Sequence, residues 1–231
     1  MRTFVAAPVG TKQYPGIVFY TDIFQLTPSS LRWVSRLASY GFVVAAPEIY
    51  HRIEPPDTVL EFDDAGKQRG QADVDALYAE QFDADIAALL AWLTQYPRVQ
   101  QGPLGAAGHC TGGHIGFRAA FQSPVAATAL WYPTGLDTGK LGADSDAGSL
   151  QRSAEIHGEL LMIFGTGDPH TSAEGRERIR TALNGAGTKY LWSEYDAEHA
   201  FARDIGPRYD PEVTDQAFAE TVAFFRRLLP T

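Results

Sequence analysis

Six short apolar runs, separated by stretches long enough to hold a helix, constrain this chain more than any single residue does. They read PGIVFY (15–20), GFVVAAP (41–47), PLGAAG (103–108), VAATALWY (125–132), ELLMIFG (159–165) and TKYLWSE (188–194). Continuous apolarity over so few residues is the pattern of a strand buried on both faces. Such strands in alternation with helices pack as a mostly parallel central sheet with helices on both faces, an α/β architecture. The N-terminal MRTFVAAPVGTKQYPG, its apolar run broken by Pro8 and Gly10, reads as a further strand. A chain of 231 residues, 45% of them hydrophobic, can bury one substantial core, so a single domain over 1–231 is expected.

The helical segments have their own punctuation. Thr27 before Pro28 is an N-cap followed by proline at the first helical position; it opens PSSLRWVSRLASY, and Gly41 closes it. Phe82, Ile86, Leu89, Leu90 and Leu93 recur at helical spacing, which predicts one amphipathic helix from about Ala72 to Tyr96. Further helices are expected over Ser172–Asn184, stopped by Gly185, and over Pro211–Leu229. The stretches 51–70 and 135–158 read as irregular. In sheets of this kind ligands sit beyond the carboxyl ends of the strands, among such loops.

Charge narrows the partners. With 28 acidic against 19 basic residues and a net charge of -9, capture of nucleic acid or of an anionic membrane is disfavoured, and an anionic small molecule would need local arginines to draw it in. The apolar helical stretch Ile86 to Leu93 is too short to span a bilayer. A single cysteine forms no intrachain disulfide, and with no secretion signal visible a reducing, cytoplasmic setting is expected.

That cysteine lies in AAGHCTGGHIG (106–116), where a strand ends and a helix begins. A lone cysteine is ordinarily a small buried packing residue. Here Gly108-His109-Cys110-Thr111-Gly112 is G-x-C-x-G, the nucleophile elbow with sulfur in place of oxygen. Glycines two before and two after let strand and helix approach without Cβ clashes, and the helix N-terminus favours thiolate. A metal site fits poorly: His109 and His114 are five positions apart, which turns them about 140° apart on a helix, and no C-x-x-C or H-E-x-x-H spacing occurs. No cofactor is called for.

A thiol nucleophile needs a base and an orienting acid, which in elbow enzymes follow in the order nucleophile, acid, histidine. ELLMIFG runs into TGDPH and sets Asp168 just past a strand end; TKYLWSEY runs into DAEHAFARD and sets His199 on a second such loop. His199 would take and return the proton while Asp168 fixes its tautomer. His170 is a competing base, but it precedes the last strand. Asp196 is a competing acid, but it is awkward to aim from three residues before His199.

These residues resemble the dienelactone hydrolase family, the carboxymethylenebutenolidases of the α/β-hydrolase fold. The resemblance covers most of the chain through YTDIFQLTP (20–28), PEIYHR (47–52), KQRGQAD (67–73), GHCTGGHIGFRAA (108–120), FGTGDPH (164–170) and EHAFAR (198–203). It implies a Cys110, Asp168 and His199 triad, an oxyanion hole from the backbone N–H groups of Ile23 and Thr111, and carboxylate binding by Arg69 and Arg203. Three positions depart from the family pattern. Asp22 stands where the family has a Glu that bonds the resting thiol and swings to an arginine as substrate binds; Asp73 replaces a substrate-binding Tyr; Ala200 replaces a Ser. Arg69 is left to pair either with Asp73, which would weaken capture of a diacid-like lactone, or with substrate. The implied activity is hydrolysis of a lactone or ester through a thioester, on a small-molecule substrate that bears a carboxylate where the arginines are used, by a monomer or homodimer. Two alternatives stand beside it. One is a binding or redox-sensing protein with a reactive thiol. The other is a hydrolase of a different ester, thioester or amide, with an acyl pocket shaped by Trp131, Tyr132, Phe24 and the 135–158 loop.

Overall fold

The computed structural model describes residues 1–229. Seven strands form one sheet: β1 (Thr3–Ala6), β2 (Gly16–Tyr20), β3 (Val43–Pro47), β4 (Leu104–His109), β5 (Val125–Trp131), β6 (Glu159–Gly165) and β7 (Lys189–Tyr195), in the spatial order β1-β3-β2-β4-β5-β6-β7. All neighbours are parallel except β1, which runs antiparallel to β3 at one edge. The mostly parallel α/β sheet read from the apolar runs is therefore present, with the N-terminal stretch as its antiparallel edge.

Side-chain alternation along the strands splits the core into layers. Ile17 and Phe19 of β2 face the layer made with α1 (Pro28–Ser39) and α6 (Pro211–Leu228), where Trp33, Leu37, Phe218 and Phe225 are buried. Val18 and Tyr20 face the opposite layer, filled by Phe82, Ile86, Leu90 and Leu93 of α3 (Ala79–Thr94). Helices thus cover both faces. A third cluster joins Leu160, Met162 and Phe164 of β6 to Ile179 and Leu183 of α5 (Ala173–Ala186).

The single helix expected from Ala72 to Tyr96 is in fact two. Helix α2 (Asp64–Asp75) starts within the stretch expected to be irregular, because the Asp63 side chain caps it by accepting from the Gly66 N–H at 2.7 Å. It stops at Ala76, and α3 begins after Tyr78, whose N–H donates to the Gln81 side chain at 2.8 Å. Between them the Leu77 carbonyl accepts from Ala143 N–H at 2.8 Å, so the 135–158 loop takes up a group released by the break. The whole apolar stripe belongs to α3. A smaller correction concerns α5: it passes Gly185 and ends at Gly187, which has the left-handed φ of 69°. The 135–158 stretch also contains one 3₁₀ turn, Leu150–Glu155.

Candidate active site

Between β4 and α4 (Thr111–Ala119) the backbone turns sharply at Cys110, with φ 56° and ψ -124°. For a residue with a Cβ this conformation stores about 1–3 kcal/mol and holds only where its surroundings enforce it. The enforcement is visible. A Cβ on Gly108 would collide with the Gly112 carbonyl, and one on Gly112 would collide with the Tyr20 and Thr21 carbonyls, so helix and strands meet at backbone distance. Cys110 N–H donates to Trp131 O at 3.1 Å, and Cys110 O accepts from Gly113 N at 2.9 Å and from Thr134 N at 3.2 Å.

Parallel pairing of β4, β5, β6 and β7 brings their carboxyl ends to one edge of the molecule, and the loops that follow carry Asp168 and His199 to the thiol. Asp168 Oδ2 lies 2.7 Å from His199 Nδ1, while its Oδ1 accepts from His170 N–H at 2.7 Å. Both carboxylate oxygens are thereby fixed. The imidazole also hydrogen bonds to Cys110, whose Sγ is 3.8 Å from Thr134 Oγ1. Cys110, Asp168 and His199 are all buried.

Burial raises the thiol pKa, but the His199 charge and hydrogen bond pull it below its ordinary value. Burial likewise opposes the imidazolium, yet the Cys110 charge and the Asp168 hydrogen bond hold His199 up at about 9. The resting pair is therefore drawn toward thiolate and imidazolium.

A cavity of about 340 Å³ opens above the sulfur, and its walls include Ile23, Phe24, Phe62, Thr111, Thr134, His170 and His199. A second cavity of about 290 Å³ adjoins it, sharing Gln71, Thr111 and Thr134 as a wall and bounded beyond by Val74 and Leu141. Thr111 is the first residue of α4, so its N–H has no acceptor within the helix. Among the described residues no three His, Cys, Asp or Glu side chains gather as a metal site would, and no helix is long and apolar enough to cross a membrane.

The family model for the dienelactone hydrolase family matches residues 1–229. The chain belongs to the dienelactone hydrolase family. Its enzyme class is accordingly that of the ester and lactone hydrolases. Among relatives, a candidate carboxymethylenebutenolidase of Saccharomyces cerevisiae is 33% identical, covering 99% of this chain and 87% of its own. The carboxymethylenebutenolidase of Pseudomonas sp. strain P51 is 26% identical, covering 94% and 86%. The crystal structure of a candidate dienelactone hydrolase of Klebsiella pneumoniae superposes with a TM-score of 0.83 at 22% identity, covering 97% of this chain and 92% of that one, a likeness of fold.

The remaining positions that dienelactone hydrolase resemblance implied are placed unequally. Arg203 is at the cavity, its guanidinium against the rings of Phe24 and Phe62 at 4.8 and 4.6 Å. It is already paired: Nη2 and Nε reach Asp22 Oδ2 at 2.6 and 3.2 Å. Asp22 Oδ1 accepts from Phe24 N–H at 3.0 Å, so this shorter acid is turned from the sulfur and acts on it only through charge. Arg69 is not in the cavity. Two residues of helix turn it about 200° from Lys67, and it forms a fork on Glu54 at 2.8 and 2.6 Å instead. Of the two partners left open for Arg69, Asp73 and substrate, neither holds it here, since Glu54 takes its guanidinium. Asp73 leans on Glu54, and its own burial with that neighbouring carboxyl pushes its pKa up to about 6. Trp131 is fully buried against Trp33, His109 and Phe201 behind the site, a core residue rather than a cavity wall.

Several cavity residues escaped the sequence reading: Thr134, Gln71, Lys67 and Arg208. Gln71 follows Lys67 by four, a spacing that puts both on one helix face, but only once the helix is known to start at Asp64. Thr134 and Arg208 lie in loops without periodicity, where the sequence carries no such signal.

Proposed function

We propose that this chain hydrolyses an ester or lactone bond by acyl transfer to Cys110. The observation that carries the reading is the hydrogen-bonded row from Asp168 through His199 to a thiol held on a strained turn at a cavity floor. The Cys110 thiolate attacks the carbonyl carbon, and the backbone N–H groups of Thr111 and Ile23 receive the developing oxyanion. In other hydrolases one such donor contributes about 3–4 kcal/mol. Collapse breaks the C–O bond, His199 gives its proton to the departing alkoxide, and a thioester remains on Cys110. Neutral His199 then takes a proton from water, hydroxide adds to the thioester, and the carboxylic acid leaves as the thiolate is restored.

Because Asp22 is held by Arg203, the thiol in the resting enzyme depends on His199 for its activation. Neither family arginine is uncommitted, since Arg69 is paired to Glu54 and Arg203 to Asp22. A substrate carboxylate is therefore not an entry requirement at those two positions. Cys110→Ala is expected to lower turnover of activated aryl esters by at least about 10³-fold, measured by phenol release, with the urea midpoint showing that the variant is folded. A variant that keeps most of the wild-type rate would remove Cys110 from the reaction.

A further inference from the structure

We infer that Lys67, Arg208 and His170 form an anion-binding subsite on the leaving-group side of the cavity, so that the preferred substrates are esters whose alcohol portion carries a negative charge. The inference rests on the hydrolase reading above and adds the substrate class.

Three placements lead to it. All three side chains line the cavity that contains Cys110 and His199, although they come from α2, from the loop after β6 and from the loop after β7. The His170 ring packs on the His199 ring, with centroids 4.4 Å apart. The general acid for the departing oxygen must lie within hydrogen-bond reach of it, so groups surrounding His199 face the alcohol portion. The acyl portion extends the other way, toward Thr111, Thr134 and the adjoining cavity.

The charges at this end are free to act. No carboxylate lies within ion-pair distance of Lys67 among the described residues, and Arg208 has only Glu198 at 3.8 Å, an exposed carboxylate. Both cations bear on the His170 imidazole: burial first, then His199, Arg208 and Lys67 all lower its pKa. His170 thus favours its neutral form and shares the cavity wall with both cations. Asp63 and Asp64 also border the cavity, but Asp63 spends one oxygen on the α2 cap and Asp64 stands in that helix's first turn, where the positive helix end offsets part of their charge. Against a net charge of -9, a local pair of cations is what an anionic ligand requires.

The test compares three substrates: phenyl acetate, which is neutral; 4-acetoxybenzoate, with the charge on the leaving group; and phenyl hemisuccinate, with the charge on the acyl group. The wild type is expected to prefer 4-acetoxybenzoate to phenyl acetate in kcat/KM. In the double variant Lys67→Met with Arg208→Met, the ratio of these two values should fall about tenfold, mainly through KM, while the hemisuccinate ratio moves less than twofold. An unchanged 4-acetoxybenzoate ratio, or a fall confined to the hemisuccinate, would overturn the assignment. If the wild type turns over none of the three, the hydrolase reading fails by itself. The subsite is then read from calorimetric binding of 4-hydroxybenzoate, expected to be about tenfold weaker in the double variant. Equal affinity in the two proteins, or no binding to wild type, would also overturn it.

Discussion

At the residue scale the site is governed by one exchange of a proton. Cys110 is pulled down from the ordinary thiol value against its own burial, and His199 is lifted to about 9, each by the charge of the other. The iodoacetamide alkylation rate of the wild type should therefore rise at lower pH than that of an ordinary thiol. In His199→Gln the favourable cation is lost while burial stays, so the inflection should move above about 8.5, the free cysteine value. Identical profiles for the two proteins would show that His199 does not activate the thiol. These partners could be read from the chain because GHCTGG, TGDPH and EHAFAR each begin at or within a few residues of the end of an apolar run. The Arg69 role could not be read, since it depends on which side of a helix residue 69 occupies and on Glu54, fifteen residues away, taking its guanidinium.

At the element scale the misread segment is informative. Helix α2 has no apolar stripe over DAGKQRGQADVD, so its periodicity is invisible, and the stripe of α3 absorbed its C-terminal end. The available cue was Asp63 as a cap with an acidic first turn. By contrast the elbow was legible because its glycines are demanded by backbone contacts, whatever lies around them. The two features should differ in cost when changed. Asp63→Ala removes one cap and should destabilise by about 1 kcal/mol. Gly112→Ala drives a Cβ into the Tyr20 and Thr21 carbonyls and should cost about 3 kcal/mol or more. Urea unfolding of both variants checks the order, and a smaller loss for Gly112→Ala would mean that the elbow tolerates separation of helix and sheet.

At the scale of the whole molecule, the sheet brings together residues that the chain keeps far apart, with Asp168 and His199 separated by 31 positions. The strand order that achieves this is not written in any local pattern; it follows from crossover topology and is seen only in the folded chain. Folding therefore also draws this pair toward thiolate and imidazolium, and this links stability to pH. His199, raised above its unfolded value, adds stability that is full below about 6.5 and lost as pH rises through about 9. Cys110, lowered, adds stability present above about 8.5 and lost as pH falls through its folded value. Where these two ranges overlap the slopes oppose each other, since with rising pH the His199 contribution falls while that of Cys110 grows. The difference in unfolding free energy between wild type and the double variant Cys110→Ala with His199→Gln should accordingly fall as pH rises from about 8.5 through about 9, where only the His199 slope remains. A difference that stays level over that range would mean that folding does not raise His199. The most direct test of the account is an acid quench during turnover of an aryl acetate, followed by mass spectrometry of the peptide containing Cys110. An acetyl increment on Cys110 that disappears with hydroxylamine is the expected result; turnover at full rate with no acyl group on Cys110 would contradict it.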